Sequence, residues 1–341
     1  MAEVLGVYPA LDGIGGVQAS GRLARAALGG ASIEVSAANR VGAVLAALRA
    51  TSSVETVLVW HVSLLKLLPF LRLSRRTRVV AFLHGIEAWR PVGRLARRVD
   101  LFLSNSEFTW QRFVTANPQL ETAAHRVVPL GIGVRLLGES VEPAEVPAAL
   151  MLGRLARSED YKGHREVLAA WPHVLQSLPD AQLWIAGEGD LRPDLENLAA
   201  QLRLGESVRF LGRVSEAEKQ RLLVDCRCLA LPSRGEGFGL VYVEAMRLGR
   251  PCLISTLDGA REVVQPPLAG LAVEPSQPEH LAAALRELLR IDGSWQQRSS
   301  AARERYAHHF TAEHFQDRLR AALAASITSR NDVRYRRRSA A

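Results

Sequence analysis

Two carboxylates in a glycine-rich segment carry the first chemical signal of this 341-residue chain. The segment reads Pro232-Ser233-Arg234-Gly235-Glu236-Gly237-Phe238-Gly239-Leu240-Val241-Tyr242-Val243-Glu244-Ala245-Met246, followed by Gly249-Arg250-Pro251. The apolar run Leu229 to Leu231 enters it as a strand, so Glu236 stands in a loop at a strand's carboxyl end. Leu240 to Leu248 has the apolar spacing of a helix, with Gly249 as its stop, which puts Glu244 about a turn inside. The amides of Gly237, Phe238, Gly239 and Leu240 then lie near a helix N-terminus, where an anion is favoured. One loop thus offers a carboxylate for hydroxyls, amides for phosphate and a second carboxylate a turn away. Those groups suit the sugar, diphosphate and ribose of a nucleotide-sugar. A Gly-Glu-Gly turn alone is common in α/β proteins, so the reading rests on the whole segment.

A departing diphosphate needs cations if no metal supplies the charge. Gly153-Arg154-Leu155 ends one strand, and Tyr161-Lys162-Gly163 follows at a helix start. Arg154 and Lys162, eight residues apart, can meet one diphosphate as a fork and a point charge. Ala186-Gly187-Glu188-Gly189-Asp190 and Gly212-Arg213-Val214 end two further strands. In the first half, Asp12-Gly13-Ile14-Gly15-Gly16-Val17 precedes a helix, and its glycine pair lets backbone approach a phosphate or sugar. His84-Gly85-Ile86-Glu87 and Ser104-Asn105-Ser106-Glu107 each follow an apolar strand, and Ser106 is also a natural helix cap.

The elements that must hold these residues alternate between short apolar runs and helical patterns. Strands are expected at Val4 to Tyr8, Ile33 to Ser36, Thr56 to Val59, Arg78 to Leu83, Leu101 to Ser104 and Arg126 to Pro129. Helices fit Val17 to Leu28, Gly42 to Ala50, Leu64 to Leu71, Val92 to Arg98 and Glu107 to Asn117. Gly138 to Pro147 reads as a linker. Strands then recur at Ala149, Gln182, Val208, Cys228 and Cys252, separated by helical patterns, and a last helical pattern spans Ala312 to Ala325. The fold class expected is α/β, with ligands bound beyond the carboxyl ends of parallel strands.

The segment around Glu236 closely resembles the signature of the retaining glycosyltransferases of family 4. There, Pro-Ser and a short gap lead to Glu-Gly-Phe-Gly, with a second Glu eight positions after the first. The family's Gly-Arg-Leu followed by Lys-Gly is matched at Arg154 and Lys162. The resemblance implies the GT-B fold: two Rossmann-like, doubly wound domains facing a central cleft. Residues 1–142 would form the acceptor-side domain and 147–305 the donor-binding domain. Residues 306–326 would pack back on the first domain, and 327–341 would be a basic disordered tail.

The family's roles follow by position. Arg154 and Lys162 bind the donor phosphates, Glu236 holds sugar hydroxyls and Glu244 the ribose. The Gly187-Glu188 and Arg213-Val214 turns approach the nucleotide, the Gly15-Gly16 pair faces the donor, and His84 lies near the reacting sugar. Glu87 is then a candidate contact for the acceptor or for His84. No cofactor and no metal are expected. Retaining transfer through a carboxylate nucleophile would make Glu236 the side chain to test, whereas the resemblance favours front-face attack, in which the departing diphosphate takes the acceptor's proton. Two stretches depart from the family: Ala31 to Val41 is short, and Asp258-Gly259 stands where many relatives have two glycines.

Composition narrows the partners. A hydrophobic content of 48% supports real cores, and the three cysteines, Cys226, Cys228 and Cys252, form no disulfide framework and suggest a reducing compartment. Met1 to Tyr8 reads as a strand, not a signal peptide, and no apolar run reaches membrane-spanning length. A cytoplasmic protein is expected. The net charge of +8 is concentrated at Arg72, Arg75, Arg76 and Arg78, at Arg90, Arg94, Arg97 and Arg98, and in the tail. Leucines at 64, 65, 67, 68 and 71 beside the first cluster suit either a core helix or a segment on an anionic bilayer. Aromatic residues are not interleaved with these arginines, which counts against nucleic acid. The reading is hexosyl transfer from GDP-mannose or a UDP-hexose to a glycan or lipid-linked acceptor in envelope or exopolysaccharide synthesis. Its rivals are an epimerase or hydrolase of the donor on the same fold, and a basic non-catalytic module for nucleic acid or membrane.

Overall fold

A computed structural model describes residues 4–13, 15–36, 38–49, 54–134 and 141–324. The tail 327–341 and the first residues of the linker lie outside the described residues. The chain divides into two compact units, one of residues 1–133 with 312–341, the other of residues 134–311.

The first unit holds six parallel strands: β1 (Val4–Pro9), β2 (Ser32–Val35), β3 (Thr56–Val59), β4 (Arg78–Leu83), β5 (Leu101–Ser104) and β6 (His125–Val127), in the order β2-β1-β3-β4-β5-β6. β3, β4 and β5 are buried along their whole length, as strands covered on both faces must be. Residues 312–324 are helical and belong to this unit. Phe315 is fully buried there, edge-on to Trp60 with ring centroids 6.2 Å apart.

Of the two readings of Leu64 to Leu71, a core helix or a bilayer segment, the structure bears out the core helix, in 3-10 form. Val62–Phe70 is a 3-10 helix, and Val62, Leu64, Leu65, Leu67 and Leu68 are spent on the core. Apolar residues on nearly every side, with Pro69 inside, leave no amphipathic stripe to offer a bilayer. Of that element Ser63, Lys66, Pro69 and Phe70 face solvent. The helix expected at Val92 to Arg98 is likewise a short 3-10 turn, Arg94–Arg98.

The second unit repeats the plan with β7 (Ala148–Leu152), β8 (Gln182–Ala186), β9 (Val208–Gly212), β10 (Cys228–Ala230), β11 (Cys252–Ser255) and β12 (Gly270–Val273), all parallel, in the order β12-β11-β10-β7-β8-β9. Helices His164–Leu175, Arg192–Gln201, Glu216–Asp225, Leu240–Arg247, Pro278–Leu288 and Gly293–His309 cover the sheet. The fully buried Arg250 ties several pieces together. Its guanidinium donates to Leu223 O at 3.1 Å and Val224 O at 2.7 Å, at the end of the Glu216–Asp225 helix, and to Val141 O. The three cysteines are free and buried, and burial pushes their thiols up. Among the described residues no helix is long and apolar enough to cross a membrane, and no cluster of His, Cys, Asp or Glu could hold a metal ion.

Candidate functional site

In the second sheet the strand order reverses between β7 and β10, and crevices at such switch points are where α/β sheets take ligands. The loops leaving these two strands touch. Arg234 N–H donates to Tyr161 O at 2.8 Å, and the Arg234 guanidinium pairs with Glu166. Arg154, Lys162 and Glu236 are thereby gathered at one end of the sheet. The approach is close on the other side too. A β-carbon at Gly187 would stand 1.8 Å from Gly153 O, so only glycine fits where the β8 turn meets the β7 turn.

Arg154 and Lys162 are not two open cations. Both converge on Glu159, a carboxylate that is only 7% exposed and that the sequence reading passed over. Lys162 Nζ lies 2.7 Å from Glu159 Oε2, and the Arg154 guanidinium pairs with the other oxygen. Lys162 is mostly covered while Arg154 is open to solvent, so the ammonium is fixed and the guanidinium is the adjustable partner. An anion bound here would meet a preorganised ammonium and would displace Arg154, at most, from a carboxylate.

Glu236 is partly exposed at the loop tip, while Phe238 is buried and packs edge-on against Phe310 with centroids 5.9 Å apart. Phe238 therefore holds the loop through its ring, and only its backbone is left for a ligand. Gly239 is the N-cap of the Leu240–Arg247 helix, and no side chain caps that end. Tyr242 anchors the turn by donating its hydroxyl to Leu231 O at 2.8 Å. Glu244 sits one turn in, as expected, but one oxygen is already taken. Lys219, from the Glu216–Asp225 helix, pairs with Glu244 Oε1 at 2.9 Å and with Glu216 Oε1 at 3.0 Å. Burial raises the Glu244 carboxyl against the pull of Lys219. A ribose at Glu244 would share that carboxylate with the ammonium. The other turn residues lie in the open: Glu188 pairs loosely with Arg213 at 3.4 Å, and Val214 is half-buried.

In the first unit the glycine pair opens the helix Gly16–Leu28, which no side chain caps, and both glycines are exposed. Arg22 holds the preceding loop through Leu11 O and Gly13 O. His84 follows β4 and is buried, lying 5.0 Å from Trp60 and 4.7 Å from Phe82 by ring centroids. Its Nε2 is 2.7 Å from Trp60 O, so that nitrogen carries the proton and donates it to the backbone. Burial lowers the ring to about 4, leaving it neutral, and Nδ1 is buried without a partner. A proton transfer through Nε2 is thus unavailable, and the ring can serve a ligand only as an acceptor at Nδ1. Glu87 Oε1 accepts from His84 N at 2.7 Å and Gly85 N at 3.1 Å, so this carboxylate shapes the His84 turn. Ser106 caps its helix by accepting from Thr109 N at 3.0 Å.

Glu159, Lys219 and Asp258 are the residues that sequence reasoning did not place in the site. Asp258 is buried beside Glu236 and accepts that residue's N–H at 3.0 Å. The substitution of a common glycine was the one visible signal for it.

The comparisons with known proteins point the same way. Residues 138–305 match the family model described as glycosyl transferases group 1. Over 237 residues, 62% of this chain and 61% of the relative, the sequence is 30% identical to a GDP-mannose-dependent monoacylated phosphatidylinositol monomannoside mannosyltransferase of Corynebacterium glutamicum. It is 36% identical over 169 residues to a glycogen synthase of Mycobacterium tuberculosis, covering 49% of this chain and 40% of that one. The match thus spans 61% of the first of these relatives and 40% of the second, less than two-thirds of either. HepE of Anabaena, solved with UDP and glucose, superimposes with a TM-score of 0.73 at 16% identity, over 95% of this chain and all of that one. That likeness shows the fold to be GT-B. Residues 138–305, which carry Arg154, Lys162, Glu236 and Glu244, are the part of the chain that matches the glycosyl transferases of group 1.

Proposed function

We propose that the protein is a metal-independent retaining glycosyltransferase of family 4 that moves a hexosyl group from a nucleotide-sugar to a hydroxyl of a glycan or lipid-linked acceptor. The observation that carries this reading is the convergence of Lys162 and Arg154 on Glu159 at the β7 end, joined to the Glu236 loop at the β10 end. Lys162, Arg154 and the backbone amides of the Gly237–Leu240 turn stabilise the leaving diphosphate. Glu236 holds the hexose hydroxyls, and Glu244, steadied by Lys219, holds the ribose. In the step itself the acceptor oxygen bonds to the anomeric carbon on the face from which the diphosphate departs. The bond from that carbon to the phosphate oxygen breaks, and the acceptor's proton passes to the departing oxygen. A glycosyl-enzyme adduct trapped on Glu236 would overturn the front-face step.

The GDP-mannose named for the Corynebacterium relative and the UDP and glucose of the Anabaena structure recommend two donor classes for testing. Exposed Arg72, Arg75, Arg76, Arg94 and Arg97 support docking of the first unit on an anionic membrane surface through charge, as a lipid-linked acceptor would require. The protein would then work at the inner face of the cell membrane. The test is a thermal-shift screen with UDP, GDP and ADP and their hexose conjugates, on wild type and Lys162→Ala, because ligand binding raises apparent stability. A shift with one nucleotide class that the variant loses supports the reading. No shift with any of them rejects it. Conversion of the donor without an acceptor would favour the epimerase or hydrolase.

A further inference from the structure

The loop that presents Glu236 is wrapped around one buried carboxylate. Asp258 is 4% exposed and follows β11, the strand next to β10 in the sheet. Its Oδ2 accepts the Glu236 N–H at 3.0 Å and its Oδ1 the Ala260 N–H at 3.1 Å. Gly259 N–H in turn donates to Glu236 O at 2.9 Å. Both backbone polar groups of Glu236 are therefore tied to the dipeptide Asp258-Gly259. There is no slack in the pairing, since a β-carbon on Gly259 would stand 2.2 Å from Gly237 O. The Ser233 hydroxyl bonds to the same carboxylate, and Ser233 Oγ also accepts the Gly235 N–H at 3.0 Å.

We propose that Asp258 is a positioning residue that fixes Glu236 for the hexose, an inference that rests on the donor-site reading above. Capping the five-residue helix Ala260–Val264 accounts for Oδ1 alone, whereas the bond from Oδ2 to Glu236 reaches across to another strand's loop. A carboxylate buried this deeply is costly unless several donors reward it, and the donors here are those that set the Glu236 turn. The groups facing it are the Glu236 carboxylate, the Ser233 hydroxyl and the phenols of Tyr161 and Tyr242. Burial raises the Asp258 carboxyl to about 7, against the pull of the Glu236 and Ala260 amides. Above that pH both oxygens accept, and the turn is held from both sides. Below it one oxygen becomes a donor and the clamp loses an acceptor.

The experiment compares equilibrium binding of each nucleoside diphosphate with that of its hexose conjugate, by calorimetry, in wild type, Asp258→Asn and Asp258→Gly. The diphosphates are expected to bind all three proteins alike. The additional affinity brought by the hexose is expected to fall about tenfold in Asp258→Gly, the loss of one charge-assisted hydrogen bond, and less in Asp258→Asn, which keeps one acceptor. Asparagine has nearly the same shape, so one of the two variants is expected to fold. In the wild type, conjugate binding is expected to strengthen as pH rises through about 7, and Asp258→Asn flattens that profile. An equal hexose increment in all three proteins, or a wild-type profile already flat, overturns the clamp while leaving the donor site standing. A wild type that binds no nucleotide overturns the donor site itself, and the clamp with it.

Discussion

Removing Lys162 separates what the Lys162–Glu159 pair does for the fold from what it does for the diphosphate. In Lys162→Ala, Glu159 stays buried at 7% exposure and loses the ammonium 2.7 Å away. Breaking a buried pair from one side costs about 3–5 kcal/mol. Arg154 still reaches the other oxygen, so the low end, about 3 kcal/mol, is expected here. For a unit of this size that lowers its melting temperature by about 6–12 °C. In Glu159→Gln/Lys162→Ala no charge is stranded, and stability returns to within about 1 kcal/mol of wild type. Donor binding does not return. Losing one charge-assisted contact to the diphosphate costs about 1.5–3 kcal/mol, roughly 10- to 150-fold in dissociation constant, in the single and the double variant alike. Thermal unfolding and titration with UDP- and GDP-hexoses on the same preparations read both quantities. A double variant that is stable and binds donor as wild type does would refute the assignment, because Lys162 would then serve only to neutralise Glu159.

Lys219→Met should strand the mostly buried Glu244 carboxylate, push it further toward its neutral form and weaken nucleoside diphosphate binding about tenfold. The hexose increment should be unchanged, and a titration of diphosphate against conjugate checks both. His84 and His164 should make the protein acid-sensitive. Burial lowers each to about 4, so below about 6.5 the unfolded chain takes up protons that the folded one refuses. Stability is full above that pH and is lost as pH falls toward 4, by on the order of 3 kcal/mol for each ring. Asp258 works in the opposite sense, since its raised carboxyl favours the folded state increasingly as pH falls from about 7 toward 4. Both ring nitrogens of His164 are buried without a partner, so His164→Leu should flatten the acid limb of a melting-temperature profile without unfolding the protein at neutral pH.

Much of the fold was legible because parallel strands covered on both faces are nearly continuous apolar runs. Thr56 to Val59, Arg78 to Leu83 and Cys252 to Ser255 stand where the sequence places them. The helix Gly293–His309 was missed for the opposite reason. Its buried positions include Ser299 and Ala302 between Trp295 and Tyr306, too small and too polar to stand out as an apolar stripe. β12 begins Gly270-Leu271-Ala272, with little branched character to mark a strand. In the site, glycines and acids at turns were visible because backbone geometry demands them locally. Lys219 was not, because its partner Glu244 lies on another helix and spacing cannot reveal a contact made by folding. Glu159 stood in plain view between Arg154 and Lys162. Only the structure shows that it is buried and that both cations turn toward it.

The return of residues 312–324 to the first unit bears on the order in which the chain can fold as it is synthesised. The second unit is continuous from residue 134 to 311, so all of it has been made before that helix appears. The first unit, though begun earlier, lacks Phe315 and Leu319 until the helix is made, and both are fully buried in the finished protein. Gln316 then donates to Leu23 O at 3.3 Å and Arg320 to Ala27 O at 3.1 Å, closing the end of the Gly16–Leu28 helix. The half of the chain that leaves the ribosome first is therefore the last to complete its core. Until then it keeps an apolar face around Trp60 for a chaperone to shield.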